Sequence, residues 1–200
     1  MSISIKELTQ EEMVSIVHSI NYDDFIGHGS SRATFGITYE GRYCVAKLAI
    51  GVQGENQTRL ECSRYLEYGD TGCLNTIIAK YGYDMIICDY VEDYEWFVDE
   101  YYNGEEDDWE DYGFSDEEEF ISAVGSVTKT VNLMRELQGN TSDNYQIGRN
   151  ENGDYVAYDY GYIVGENSTY VGNLGNYYDD EILDMFYEKM GLLDEENFDD

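Results

Sequence analysis

Between residues 89 and 119 the chain carries 16 acidic residues and no basic one. A segment of that charge folds only if it also holds something worth burying. Here Tyr90, Tyr94, Trp96, Phe97, Tyr101, Tyr102, Trp109, Tyr112 and Phe114 interleave with the acids. Disordered acidic tracts are poor in aromatics, so this one is expected to pack its rings and hold its carboxylates outward.

The rest of the chain shares the bias unevenly. Its 200 residues include 43 Asp and Glu against 11 Lys and Arg, for a net charge of −32. Residues 1–88 hold 11 acids and 7 bases, and residues 120–200 hold 16 acids and 4 bases. A globule of this mass exposes roughly 9,600 Å², or about one net charge per 300 Å². Duplex DNA, taken as a cylinder about 20 Å wide, carries about one per 107 Å². The mean density is thus about a third of DNA's, and a local cluster can equal it. Self-repulsion on this scale destabilises a compact state. The unevenness points to an acquired binding surface rather than general solubility. Direct nucleic-acid binding is excluded on charge, and the expected partner is a positively charged, nucleic-acid-binding protein.

Hydrophobic residues make up 42% of the chain, enough for a core. No stretch approaches the ~20 apolar residues of a membrane helix. Residues 1–6 lack the apolar run of a secretory signal, so a cytoplasmic protein is expected. Cys44, Cys62, Cys73 and Cys88 form no Cys-x-x-Cys pair, have no histidine cluster beside them, and read as reduced core thiols rather than zinc ligands. The chain has no proline, for which we have no physical account.

Leu8, Met13, Ile16, Val17 and Ile20 recur at helical spacing over residues 6–20, and Thr9 with Glu12 forms a capping-box pattern. His18 lies in this apolar run and reads as a packed histidine. Phe25–Tyr39 and Arg42–Ile50 read as strands joined at Glu40-Gly41. A helix is expected over residues 55–68, and strands over 76–79 and 85–88. Ser115 before three acids predicts a helix start, with Phe120, Val124, Val127, Val131 and Met134 as its apolar face to about Leu137. A hairpin around Asn152-Gly153 and a last helix over 179–190 complete an α+β pattern.

One stretch carries recognisable chemistry. Gly27-His28-Gly29-Ser30-Ser31 forms a glycine-rich turn between strand signals, where backbone N–H groups can approach phosphate. Lys47 follows at the centre of a strand, in Val45-Ala46-Lys47, and Glu61 lies on the next helix. Val156-Ala157-Tyr158-Asp159-Tyr160-Gly161 comes later. With these motifs, residues 22–165 resemble the protein kinase-like fold, most closely the small early kinases of bacteriophages. The resemblance implies a reduced two-lobed fold. Residues 1–91 would be an N-lobe of antiparallel sheet plus helix, with the N-terminal helix. Residues 92–200 would be a small, mainly helical, highly acidic C-lobe. It also implies that Gly27, Gly29, Lys47 and Glu61 hold ATP, and that Asn144 and Asp159 hold Mg²⁺, wherever nucleotide binds.

The catalytic loop departs from the family. Phage kinases read Asp-x-His-x-x-Asn, whereas this chain reads Gly139-Asn140-Thr141-Ser142-Asp143-Asn144. Gly139 replaces the aspartate that accepts the substrate proton, and Asp143 is the only nearby substitute. The resemblance therefore implies a pseudokinase. The expected function is a non-catalytic acidic inhibitor, phage- or mobile-element-encoded, that mimics nucleic acid in the basic groove of a host restriction, recombination, CRISPR or transcription protein. Its expected partner-binding residues are Glu92, Asp93, Glu95, Trp96, Asp99, Glu100, Glu105, Glu106, Asp107, Asp108, Trp109, Glu110, Asp111, Asp116, Glu117, Glu118 and Glu119, with the two tryptophans as anchors. The alternatives are an active Mg-ATP-dependent kinase and an ATP-binding regulatory pseudokinase.

Overall fold

The computed structural model describes residues 3–29, 31–93, 109–110, 112–139, 145–161 and 179–192. The protein is α+β. Strand β1 (Lys6–Glu7) precedes helix α1 (Gln10–His18), followed by β2 (Phe25–His28), β3 (Arg32–Tyr39) and β4 (Arg42–Ala49). Helix α2 (Gly51–Tyr68) leads to β5 (Ile77–Tyr81), β6 (Met85–Asp89) and β7 (Glu92–Asp93). Then come α3 (Glu117–Gln138), β8 (Ile147–Arg149), β9 (Tyr155–Ala157) and α4 (Asp179–Met190). A six-stranded mixed sheet runs β1-β5-β6-β4-β3-β2, parallel only between β1 and β5. A three-stranded sheet runs β7-β8-β9.

Local chemistry explains most element ends. Thr9 Oγ accepts the Glu12 N–H at 3.2 Å and Glu12 accepts the Thr9 N–H at 2.8 Å, the reciprocal pattern of a capping box. Lys6 and Glu7 pair with β5 instead of joining this helix as expected. Glu40 and Gly41 both have positive φ, at 49° and 80°, as a two-residue turn matched to strand twist requires. Asp116, one residue beyond the expected Ser115, caps α3 by accepting the Glu119 N–H at 2.8 Å. The Asn152-Gly153 turn is held by Asn150, whose side-chain oxygen accepts N–H groups of Asn152 and Asp154.

The chain forms two compact units. The sheet unit comprises Ile5–Arg59, Ile77–Asp89 and Asn167–Asp200. Its core takes alternate residues of the central strands: Phe35 and Ile37 on β3, Ala46 and Leu48 on β4, Met85 and Ile87 on β6. Met13 and Val17 of α1 and Ile182, Leu183 and Phe186 of α4 complete it. The second, acidic unit comprises Met1–Ser4, Leu60–Thr76 and Tyr90–Glu166. Its core joins Tyr112 and Phe114 to Ala123, Val127 and Val131 of α3 and to Ile147 and Tyr155 of the hairpin. The units are thus not divided once at residue 91. The apolar face of α4 belongs to the sheet's core, and α2 carries the chain from one unit into the other. All four cysteines are buried, and none is in a disulfide. Among the described residues no helix is long and apolar enough to cross a membrane.

Candidate functional site

In the sheet unit, period-two alternation puts Lys47 out of phase with the core residues Ala46 and Leu48. It pairs in register with Thr34 on β3 and Ile86 on β6, and is buried. Arg32, two residues before Thr34, shares that face and is also buried. Two buried cations on one sheet face demand compensating charge or hydrogen bonds. Both lie at the root of the glycine-rich turn. There the Gly29 N–H donates to the Arg32 carbonyl at 2.9 Å. A Cβ on Gly27 or Gly29 would meet nothing within 4 Å, and neither has left-handed backbone. The fold does not itself need glycine there.

The far end of the turn is anchored. The Ile50 N–H donates to the Ser31 carbonyl at 2.8 Å, and Ser31 Oγ donates to Gln57 at 2.7 Å. Gly54 on α2 makes this approach possible, since a Cβ there would lie 2.4 Å from the Ser31 carbonyl oxygen and 2.9 Å from Ala49 Cα.

In the acidic unit, Glu61 is fully buried on α2. Arg64, one helical turn on, is buried too. Its guanidinium donates to the Tyr160 carbonyl, and to the Leu137 carbonyl at 2.7 Å. Burial pulls the Arg64 pKa below its ordinary value, and the charge of Glu61 offsets only part of that. Arg64 therefore ties the residue after Asp159 to the last turn of α3. Tyr160 is pinned further by its hydroxyl, which donates to the Asn75 carbonyl at 2.8 Å. Asp159 itself is half-buried. The sequence reading missed Arg64, although its spacing of three from Glu61 on one helix face was the available signal. Lys47 belongs to the sheet unit, and Glu61 and Asp159 to the acidic unit. Gly139 ends α3 with φ 77° and ψ −176°. Asp143 and Asn144 lie outside the described residues.

The expected partner-binding acids have different surroundings. Glu92 and Asp93 are exposed on β7, paired in register with Arg149 and Gly148. Glu110, Glu117 and Glu118 are exposed. Asp116 is occupied as the cap of α3. Glu119 accepts the Ser115 N–H at 3.0 Å and its hydroxyl at 2.7 Å, and pairs with Arg149 at 3.2 Å. The Ser115 backbone bond, then the hydroxyl and Arg149, hold its carboxyl below the usual value. Trp109 is half-buried against the Tyr112–Phe114 core rather than standing free as an anchor. In that core Phe120 stacks on Tyr112 at 5.7 Å and meets Phe114 edge-on at 5.5 Å. Glu95, Trp96, Asp99, Glu100, Glu105, Glu106, Asp107, Asp108 and Asp111 lie outside the described residues.

Charge is concentrated in this unit. It holds 24 of the 43 acids and 4 of the 11 bases, a net −20, against −12 for the sheet unit. Two of its four bases, Arg64 and Lys129, donate to backbone carbonyls, those of Tyr160, Leu137 and Thr71. His18, expected to be packed, is exposed at the end of α1 beside Tyr187, because the buried phase of that helix falls on Met13 and Val17. Among the described residues no three His, Cys, Asp or Glu side chains gather to hold a metal. No protein-family model matches the chain, and no curated protein matches it.

Proposed function

We propose that the chain is a non-catalytic acidic binding protein, built on a reduced kinase-like scaffold, that occupies the basic groove of a nucleic-acid-binding protein in place of nucleic acid. The observation that carries this is the placement of charge. The acidic unit holds 24 acids against four bases, a net −20. Tyr112, Phe114 and Phe120 are packed with α3 and the hairpin, which gives the described acids beside them, Glu110 and residues 116–119, a folded support. A host protein of phage defence or transcription is the partner class that this chemistry suits.

The scaffold reading is supported by element order. A five-strand antiparallel run, β2-β3-β4-β6-β5, has α2 inserted after the lysine strand. A long helix, a short hairpin and Asp159-Tyr160-Gly161 follow. A second reading, Mg-ATP binding by a regulatory pseudokinase or an active kinase, is favoured by the burial of Lys47 and Glu61. Gly139 weighs against transfer, having no side chain to accept a proton.

Pull-down from a bacterial lysate at about 0.05 M and 0.5 M salt, with Mg-ATP thermal shift in parallel, separates the readings. Capture of a basic DNA- or RNA-binding protein at low salt, lost at high salt and without a nucleotide shift, is the expected outcome. γ-Phosphate transfer abolished by Lys47→Ala or Asp159→Ala would overturn it.

A further inference from the structure

The turn between β8 and β9 carries the one Asn-Gly pair among the described residues, Asn152-Gly153. Asn152 is exposed, and Gly153 has φ 84°, a left-handed conformation that favours glycine. The fold therefore keeps at position 153 the residue that least hinders its own backbone nitrogen. That nitrogen is a latent nucleophile toward the side-chain amide before it. It bonds to Asn152 Cγ, the Cγ–Nδ2 bond breaks, and ammonia leaves with the proton of the Gly153 amide. Water then adds to one of the two carbonyls of the five-membered imide and opens it, leaving aspartate or isoaspartate at position 152. The step consumes one water and needs no oxidant, metal or second protein.

What holds this reaction back lies in the same turn. The Gly153 N–H donates to the Asn150 carbonyl at 3.0 Å. The Asn150 side-chain oxygen accepts the Asn152 N–H at 3.0 Å and the Asp154 N–H at 2.9 Å. The Asn150 N–H in turn donates to the Asp154 carbonyl at 3.0 Å. The nucleophile's own N–H is thus engaged, and the turn must open before the nitrogen reaches Cγ. An exposed turn opens locally at far lower cost than the whole fold. We infer that Asn152 is a site of spontaneous deamidation and that the bonds of Asn150 set its rate. Either product adds one carboxylate to the acidic unit. Isoaspartate also inserts an extra methylene into the main chain between β8 and β9, which carry Ile147 and Tyr155 of that unit's core.

The test is incubation of the full chain at neutral pH, folded and in concentrated urea, with the products at position 152 followed by peptide mass spectrometry. Trypsin places this pair on the peptide 150–189, apart from Asn103-Gly104 on 81–129. The folded chain is expected to convert about ten- to a hundredfold more slowly than the unfolded one. Asn150→Ala, which removes the acceptor of two N–H groups, should convert about three- to thirtyfold faster than the native chain when folded. Asn150→Asp keeps a side-chain acceptor and should stay within about threefold of the native rate. Asn152→Gln should give no product over the same period. Absence of product at position 152 in urea would overturn the site. A native rate equal to the rate in urea, an Asn150→Ala rate equal to the native one, or Asn150→Asp as fast as Asn150→Ala would overturn the control by Asn150. No partner enters these measurements, so the site and the proposed function stand or fall separately.

Discussion

Gly139 ends α3 in a backbone region that is essentially reserved for glycine, with φ 77° and ψ −176°. Any side chain there is strained by about 1–3 kcal/mol. Restoring an aspartate at this position therefore meets a backbone unsuited to it. Gly139→Ala and Gly139→Asp are each expected to lower stability by about 1–3 kcal/mol in urea unfolding, and Gly139→Asp to transfer no phosphate from ATP. The sequence identified Gly139 as a missing aspartate, but the left-handed backbone that glycine supplies was not legible there. Glu119 gives a second residue-level expectation. Its folded pKa lies below its ordinary value near 4.5, so its bonds to Ser115 and Arg149 favour the folded state fully above that value. The contribution is lost as pH falls through the depressed folded value. The melting difference between the native chain and Glu119→Gln should be largest near neutral pH and close below the ordinary glutamate range.

At the scale of elements, the glycine-rich turn, β4 and α2 form one assembly. Gly54 lets the start of α2 sit against the backbone of Ser31 and Ala49, and those are backbone atoms with little room to give. Gly54→Ala should cost about 1–3 kcal/mol and shift amide signals of residues 27–32, whereas Gly125→Ala, with open space on an exposed helix face, should be stabilising by up to about 1 kcal/mol. Lys189 of α4 holds the same region from another side. It donates to the Ala49 carbonyl at 2.8 Å and pairs with Glu55 at 2.9 Å and Asp84 at 2.6 Å. Elements set by local chemistry were readable: the Thr9–Glu12 box, the Glu40-Gly41 and Asn152-Gly153 turns, and the bounds of α4. What α4 packs against was not, because its apolar face specifies burial without naming a partner. Arg64 escaped for a related reason. Its partners are carbonyls of Leu137 and Tyr160, 73 and 96 residues away, and a carbonyl leaves no mark in a sequence.

For the whole molecule, a net charge of −32 works against folding and for binding at once. Raising salt from about 0.01 M to 0.15 M shortens the screening length from about 30 Å to 8 Å. The urea midpoint of the free protein should rise over that range while its affinity for a basic partner falls. A midpoint that falls instead would mean that attractive ion pairs outweigh the repulsion. The interleaving of the two units adds a consequence in time. Tyr187 on α4 bonds to Val17 on α1 across 170 residues of sequence, and the apolar face of the sheet is finished only when Phe186 arrives. On a ribosome adding about 5–20 residues per second, strands β2 to β6 wait about 5–20 s for that cover. The polypeptide made during the wait is the most acidic part of the protein. Like charge on that stretch repels neighbouring chains while the sheet is open.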